Sequence, residues 1–131
     1  MFSDALREFL KKPLLAYVSI LDFDGFPHTL PVWYAIDTDD LVMTITRNSR
    51  KFGYMSANSK ASITIGGGPD DDAGWLFKGN LRITDEDPWP WLEKMTYHYE
   101  PPEQAAKDLK DWADVELGLV RMKPERATKF I

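Results

Sequence analysis

The sequence predicts a mainly β protein, an antiparallel barrel of about six strands with helices packed on its outside. Two observations support this fold class. Six segments rich in β-favouring residues follow one another, most of them joined by short turn signals, and only one helical segment interrupts the first four. The regular alternation of strand and helix that marks nucleotide-binding parallel sheets is missing.

The composition is that of an ordinary globular chain with one domain, residues 1–131. The 131 residues can bury one hydrophobic core and are too few for two. Hydrophobic residues make up 44% and charged residues 28%, so neither disorder nor membrane insertion is indicated. The N-terminal segment mixes acidic and basic residues and lacks the apolar stretch of a secretory signal, and cysteine is absent. A cytoplasmic location without disulfides is therefore expected.

The N-terminal third begins as a helix and continues as a hairpin. A helix is predicted over 3–12, because Ser3 can cap it and apolar residues recur at helical spacing. Residues 14–22 are almost continuously apolar, as in a strand covered on both faces. An Asp-Gly turn at 24–25 then leads into a strand over 28–37. One face of that strand carries Leu30, Val32, Tyr34 and Ile36.

A third strand, a helix and a fourth strand follow. Residues 41–46 alternate, with Leu41, Met43 and Ile45 facing one way. Residues 49–58 have helical spacing, and the predicted buried side carries Phe52, Tyr54 and Met55. A strand is predicted over 60–66, and the glycine-rich acidic loop at 66–74 is expected to be mobile and solvated.

The C-terminal half adds two strands around a pair of helices. Residues 75–85 alternate, and Gly79 invites a bulge or a close neighbour. The residues predicted to face inward there are Trp75, Phe77, Leu81 and Ile83. Two helices separated by a Pro-Pro step are predicted within 87–112. The last strand, 114–124, is predicted to turn one set of apolar residues inward: Val115, Leu117 and Leu119.

The sequence lacks the residue patterns of several kinds of functional site. The histidines, His28 and His98, lie far apart and no nucleophile elbow is present, so a hydrolytic triad is not expected. His98 is predicted to be a partly buried structural residue, whereas His28 at a strand entrance has the alternative of lining a pocket. The run Asp70, Asp71 and Asp72 favours a solvated loop over a cation site, because consecutive side chains point apart. No metal is expected, and a net charge of −5 argues against nucleic-acid binding.

The segment 46–51 has the composition of an anion site. A strand ends at Thr46 and a helix begins near Ser49, so the first N–H groups of the helix lack acceptors. Arg50 adds a planar fork of donors, Lys51 a compact charge and Ser49 a hydroxyl. The alternative is a surface helix with a basic first turn, but cations there oppose the helix dipole. The combination predicts a site for a phosphate monoester.

The adjoining segment PVWYA indicates what carries the phosphate. Pro31 lies inside an otherwise regular strand, so an edge, a bulge or an opening is predicted there. Trp33 and Tyr34 follow it. An interrupted strand beside large rings can offer backbone groups and an apolar wall to a flat heterocycle. Core packing is the alternative for either ring taken alone.

The segment DGFPHTLPVWYAIDTDDLVMTITRNSRKFGYM resembles the flavin-binding split β-barrel proteins related to pyridoxamine 5′-phosphate oxidase. In that family a Gly-x-Pro-x-x-x-Pro-Val-aromatic hairpin precedes a strand that ends in a Ser-Arg-Lys turn and helix. The segments WLFKGNLRIT and VRMKPERATKF are similar to later barrel strands of the family, so the likeness covers most of the chain. It implies a six-stranded split β-barrel that binds FMN.

The resemblance implies a cofactor site at matching positions. Ser49, Arg50 and Lys51 would bind the flavin phosphate, whereas Arg47 has no counterpart in the family turn and is expected to be a solvated neighbour. The residues that would border the ring and the ribityl chain are Val32, Trp33, Tyr34, Thr44, Ile45 and Thr46. Family members are typically homodimers with two flavins at the interface, so Trp75 or Lys78 would reach the partner's cofactor.

The resemblance implies an FMN-dependent oxidoreductase acting on a small substrate, in which hydride transfer demands no general acid or base. Two alternatives are a reductase that uses an F420-type deazaflavin, whose acidic tail would prefer a basic groove, and a non-enzymatic flavin-binding dimer. Two departures from the family matter. The arginine- and histidine-bearing tail of the true oxidases is missing after Ile131, so oxidation of pyridoxamine phosphate is not expected. Lys78-Gly79 stands where many family barrels have Glu-Gly.

Overall fold

A computed structural model describes all residues, 1–131. It contains eight strands and four helices. In chain order the elements are α1 (Asp4–Leu10), β1 (Ala16–Leu21), β2 (Pro27–Val32), β3 (Ala35–Asp37), β4 (Asp40–Thr46), α2 (Arg50–Ala57), β5 (Lys60–Gly66), β6 (Gly74–Thr84), α3 (Trp89–Tyr99), α4 (Pro102–Asp111), β7 (Leu117–Met122) and β8 (Arg126–Lys129).

The strands form an antiparallel sheet that is curled into a barrel and open along one side. The strand order is β2-β1-β5-β6-β7-β4-β3, and β8 pairs with β6 outside this path. Because β2 and β3 stand at opposite ends of the order but are neighbours in the chain, the opening lies between the two sheet ends. The predicted mainly β, split-barrel class is confirmed, with eight strands instead of six.

The two additional strands have different origins. The strand predicted over 28–37 breaks at Trp33 and Tyr34 into β2 and β3, because the N–H of Tyr34 donates to the hydroxyl of Tyr99 and not to a strand. The edge predicted at Pro31 is confirmed, since β2 ends the sheet. β8 pairs with β6 although all four of its residues are exposed, so it shows no alternating pattern.

Helix ends follow the predicted local signals. The hydroxyl of Ser3 accepts a hydrogen bond from the N–H of Leu6 at 3.1 Å and caps α1. The helix predicted over 49–58 is α2, and the Pro-Pro step separates α3 from α4. The strand predicted over 114–124 is β7, which starts later than predicted, at Leu117, and Val115 is exposed instead of facing inward. None of the four helices has the length and apolar character needed to traverse a bilayer.

The core fills the barrel and is covered by α1 and α2. It includes Phe2, Leu6, Phe9, Leu10, Val18, Ile20, Leu41, Met43, Met55, Ile63, Ile65, Phe77, Leu81 and Val120. The prediction that the first strand is covered on both faces is wrong: β1 alternates, and its outer face exposes Tyr17 and Leu21. A close neighbour at Gly79 is confirmed, since a Cβ there would lie 3.1 Å from the carbonyl of Lys123.

Candidate functional site

Two strand edges with free backbone groups border the split of the barrel. β2 pairs with β1 on one side only, since it ends the sheet. Residues 40–42 of β4 pair with β3, but residues 43–46 pair only with β7. Alternate N–H and C=O groups of both edges therefore have no strand partner and can bond to the rim of a planar ligand.

A narrow cavity lies in the split where β2, β4 and α2 meet. Its volume is about 20 Å³, and seven of its nine lining residues are hydrophobic. Four residues predicted as cofactor contacts lie together around it: Val32, Thr44, Ile45 and Lys51. This volume holds about one water molecule, so a flavin ring would lie against the mouth of the cavity and not inside it.

The turn from β4 into α2 is shaped by the hydroxyl of Ser49. This hydroxyl accepts from the N–H of Phe52 at 3.3 Å and donates to the carbonyl of Thr46 at 2.6 Å. Because this hydroxyl bonds within the chain at both ends, Ser49 fixes the shape of the turn. The N–H groups of Arg50 and Lys51, at the start of the helix, have no acceptor.

The side chains of Arg50 and Lys51, two of the three cations of this turn, are free to meet a ligand. Neither Arg50 nor Lys51 forms a hydrogen bond through its side chain or an ion pair with a carboxylate. The first turn of α2 contains no acidic residue. Arg50 is exposed and Lys51 is half-buried. Two backbone donors and two cations form the donor set that a phosphate monoester requires, so the residues present fit the phosphate of FMN.

Arg47 has a structural role in the same turn. Its Nε donates to the carbonyl of Leu117 at 3.0 Å, and its guanidinium lies 5.6 Å from the centroid of the Phe52 ring. The side chain is half-buried. The expectation that Arg47 is a solvated neighbour is therefore wrong, because this residue ties the turn to β7.

The rings of Trp33 and Tyr34 contact the helices and do not line the cavity. Trp33 stacks on Tyr99, and the Tyr34 hydroxyl donates to the carbonyl of Lys12 at 3.1 Å. Burial raises the pKa of Tyr99 to about 12, opposed by the hydrogen bond from the Tyr34 backbone. Burial also raises the pKa of Tyr34, reinforced by Tyr99. Both phenols are therefore neutral.

The two residues predicted to reach a partner's cofactor lie on β6, and neither lines the cavity beside the α2 turn. Lys78 lines an open groove of about 600 Å³ together with Lys60 and Arg126. Trp75 stacks on Phe77, with ring centroids 6.3 Å apart. No sequence pattern singles out Lys60 or Arg126, because they come from separate strands that only the folded sheet places together.

The histidines and aspartates singled out above lie outside this site. His28 is exposed with its ring edge-on to Tyr54, and His98 is exposed on α3, so the prediction of a partly buried His98 is wrong. Asp71 accepts from the N–H of Gly68, whereas Asp72 pairs with Lys12. No group of three potential metal ligands is present.

Fold and site together define a split-barrel protein with a basic turn beside two open strand edges. A family model described as pyridoxamine 5′-phosphate oxidase matches residues 2–125. The chain belongs to this family, whose members generally bind flavin. No curated protein sequence matches it.

Solved structures of similar fold cover nearly the whole chain. An F420 reductase has a TM-score of 0.75 at 18% identity, covering 97% of this chain and 98% of its own. General stress protein 26 from Bacillus anthracis has a TM-score of 0.67 at 14% identity, covering 93% of this chain and 88% of its own. HupZ from Group A Streptococcus has a TM-score of 0.69 at 17% identity, covering 99% and 94%. At these identities the likeness shows the fold alone.

Proposed function

We propose that the protein is an FMN-dependent oxidoreductase that acts on a small substrate. The observation that carries the proposal is the turn at residues 49–51. Two backbone N–H groups without acceptors and two cations without counter-ions meet there, beside the apolar mouth between β2 and β4. The phosphate of a planar cofactor accepts hydrogen bonds from the free N–H groups and the two cations. The rim of its ring bonds to the free backbone groups of the two strand edges.

Each part of the site has a separate task. Arg50 and Lys51 hold the phosphate, with Arg50 able to form two parallel hydrogen bonds. Val32, Thr44 and Ile45 supply an apolar wall and backbone groups that orient the ring. Bound FMN supplies the hydride chemistry. The proposal gives no residue the role of general acid or base.

The same proposal includes a homodimer with the cofactor at the interface. The outer face and tip of the β1–β2 hairpin expose apolar side chains, among them Phe23 at 72% and Phe26 at 69%. Exposed apolar patches of this kind favour contact with a second copy of the chain. The partner's Lys78 would approach the phosphate side of the site from its groove.

The test is flavin retention by the purified chain after incubation with FMN and desalting. We expect a yellow protein with quenched flavin fluorescence. The double variant Arg50→Ala/Lys51→Ala is expected to lose the cofactor while its far-ultraviolet circular dichroism stays unchanged. Lys107→Ala/Lys110→Ala removes the same charge from α4 and serves as the matched control. Tight FMN binding by the first double variant would overturn the assignment of the turn.

Catalysis is tested on the loaded protein. Reduction of bound FMN by NADH or NADPH, followed by reoxidation with a small acceptor, supports an oxidoreductase. Bound FMN that neither donor reduces indicates instead a protein that stores or senses the cofactor. Size-exclusion chromatography with light scattering tests the homodimer, which a monomer at micromolar concentration would refute.

A deazaflavin of the F420 type is the second candidate. The groove on β5, β6 and β8 carries Lys60, Lys78 and Arg126, and such a groove suits an acidic tail. The structural likeness to an F420 reductase is compatible with this cofactor. Competition between FMN and F420 for the same chain separates the two, since the preferred cofactor displaces the other at equal concentration.

A further inference from the structure

A second pocket opens between α1, β3 and α3. Its volume is about 500 Å³, which lies within the range of roughly 300–1,000 Å³ typical of small-molecule sites. The lining residues are Leu10, Lys11, Tyr34, Ala35, Ile36, Lys94, Met95, Tyr97 and His98. It shares only Tyr34 with the residues proposed for the cofactor, so it is a separate feature of the molecule.

The floor of this pocket is apolar and firmly packed. Leu10, Tyr34 and Met95 are each no more than 3% exposed and come from three different elements. The hydroxyl of Tyr34 donates to the carbonyl of Lys12. The Tyr34 ring therefore contributes its apolar face, and not its hydroxyl, to the floor of the pocket. Because so little of these three side chains is exposed, the apolar surface that a ligand would bury lies chiefly on Ile36 and Tyr97, above a floor that the protein core already fixes.

The rim of the pocket is cationic. Three of the nine lining residues are basic, and none is acidic, although the chain has a net charge of −5. Lys11 is paired with Glu8 at 2.8 Å, but both side chains are largely exposed. Lys94 and His98 form no ion pair. They lie four residues apart on α3 and therefore share one face of the helix.

The two unpaired groups differ in what they offer. The Nζ of Lys94 lies 5.4 Å from the centroid of the Trp91 ring, a contact that leaves its hydrogen-bond donors available to a ligand. The imidazole of His98 packs edge-on against Tyr99 and is exposed. A histidine ring carries an N–H donor in either protonation state. Together they offer one charge and additional donors to an anion.

We propose that this pocket binds a small aromatic carboxylate. The aromatic body packs against Ile36 and Tyr97 above the buried floor, and the carboxylate meets Lys94 and His98. A neutral aromatic molecule would gain the same apolar burial but would leave both rim groups without a partner. The charge therefore selects the ligand, while the apolar area supplies most of the affinity.

The experiment compares 2-naphthoate with its neutral isostere 2-naphthamide by isothermal titration and by NMR shift mapping on the full chain without added flavin. We expect naphthoate to bind at least tenfold more tightly, with shifts at Ala35, Met95 and Tyr97. Lys94→Gln/His98→Gln is expected to lose that preference. Lys107→Gln/Lys110→Gln, which removes two basic residues from the exposed surface of α4, is the control and is expected to keep it.

Two outcomes would overturn the proposal: equal or no binding of the two probes by the unaltered chain, or a preference for naphthoate that survives in Lys94→Gln/His98→Gln. The bulky substitution Ala35→Phe is expected to block both probes. Since both rim residues are exposed, the rim variant remains informative even if Ala35→Phe does not fold. Arg50→Ala/Lys51→Ala is expected to bind naphthoate normally, which separates this proposal from the one for the cofactor.

Discussion

Trp33 lies flat against Tyr99, with ring centroids 5.1 Å apart and planes inclined by 8°. The hydroxyl of the same tyrosine accepts from the N–H of Tyr34 at 3.3 Å and donates to the carbonyl of Leu14 at 2.6 Å. α3 is thereby fixed to the break between β2 and β3, beside the open side of the barrel. A helix from late in the chain thus holds the opening in shape.

Tyr99→Phe tests this anchor, because it keeps the stacked ring and removes the hydroxyl. The N–H of Tyr34 and the carbonyl of Leu14 both lose their partner, so we expect the free energy of unfolding to fall by about 1–3 kcal/mol. Urea denaturation followed by circular dichroism measures the change. Tyr97→Phe, at an exposed position of the same helix, is expected to stay within about 0.5 kcal/mol. Equal effects of the two substitutions would show that the anchor does not contribute.

The two arginines of the α2 turn are expected to respond oppositely in the absence of cofactor. Arg47→Ala removes the hydrogen bond to Leu117 and the contact with Phe52, and we expect a loss of about 1–2 kcal/mol. Arg50→Ala is expected to be neutral or to stabilise by a few tenths of a kcal/mol, because a cation leaves the helix N-terminus. Thermal unfolding of both variants in one buffer gives the comparison. A destabilised Arg50→Ala would indicate a structural role for that side chain.

Gly66 is expected to be the least replaceable glycine of the β5–β6 turn. Its φ is +79°, and a Cβ there would clash with the carbonyl of Ala73 and lie 2.6 Å from Cζ of Phe9. We expect Gly66→Ala to cost more than about 3 kcal/mol. Gly25→Ala is the matched control, since its φ is +84° but no atom lies within 4 Å of the added methyl group. Gly25→Ala is expected to lower the free energy of unfolding by about 1 kcal/mol. Urea denaturation of both variants gives the comparison, and equal losses would mean that the structure relieves the crowding at Gly66.

Acid stability is expected to depend on the carboxylate of Glu86. Arg121 donates two hydrogen bonds of 2.8 Å to it, which lower its pKa below the ordinary value of 4.5. The stabilisation by ionised Glu86 is complete at pH values above the pKa of this carboxyl in the unfolded chain. It is lost as the pH falls through the lower pKa of the same carboxyl in the folded chain. Between about pH 5 and pH 3, stability is therefore expected to fall less steeply in Glu86→Gln than in the unaltered protein. Glu93→Gln, at an exposed position of α3, is the control whose slope is expected not to change.

The sequence could predict features whose determinants are local. Ser3 was recognised as a helix cap because its capping partner lies three residues away. Ser49 was predicted as a donor to the anion, and the structure shows that its hydroxyl also caps α2. The basic turn was recognised because Arg50 and Lys51 are adjacent and follow a strand end. Val32 was placed with Thr44, Ile45 and Lys51 through the family resemblance, and the structure brings these four together.

The features that could not be predicted depend on contacts between distant positions. The break after Val32 is set by Tyr99, and alternation alone continued the strand through Trp33 and Tyr34. Arg47 looked solvated because its acceptor, the carbonyl of Leu117, is 70 positions along the chain. The outer face of β1 was predicted to be buried because its residues are apolar. An apolar pattern alone does not show whether another part of the chain covers that face or leaves it exposed.

Strand β6 runs through both parts of the sheet, with β5 and β8 beside its first residues and β7 beside its last. If β6 detaches, β5 and β8 in one part of the sheet and β7 in the other all lose their pairing with it. We therefore expect the molecule to unfold as one cooperative unit, with no half that could be expressed alone. The backbone amides of Phe77 and Leu81, buried near the middle of that strand, are expected to exchange with solvent hydrogen only through global opening.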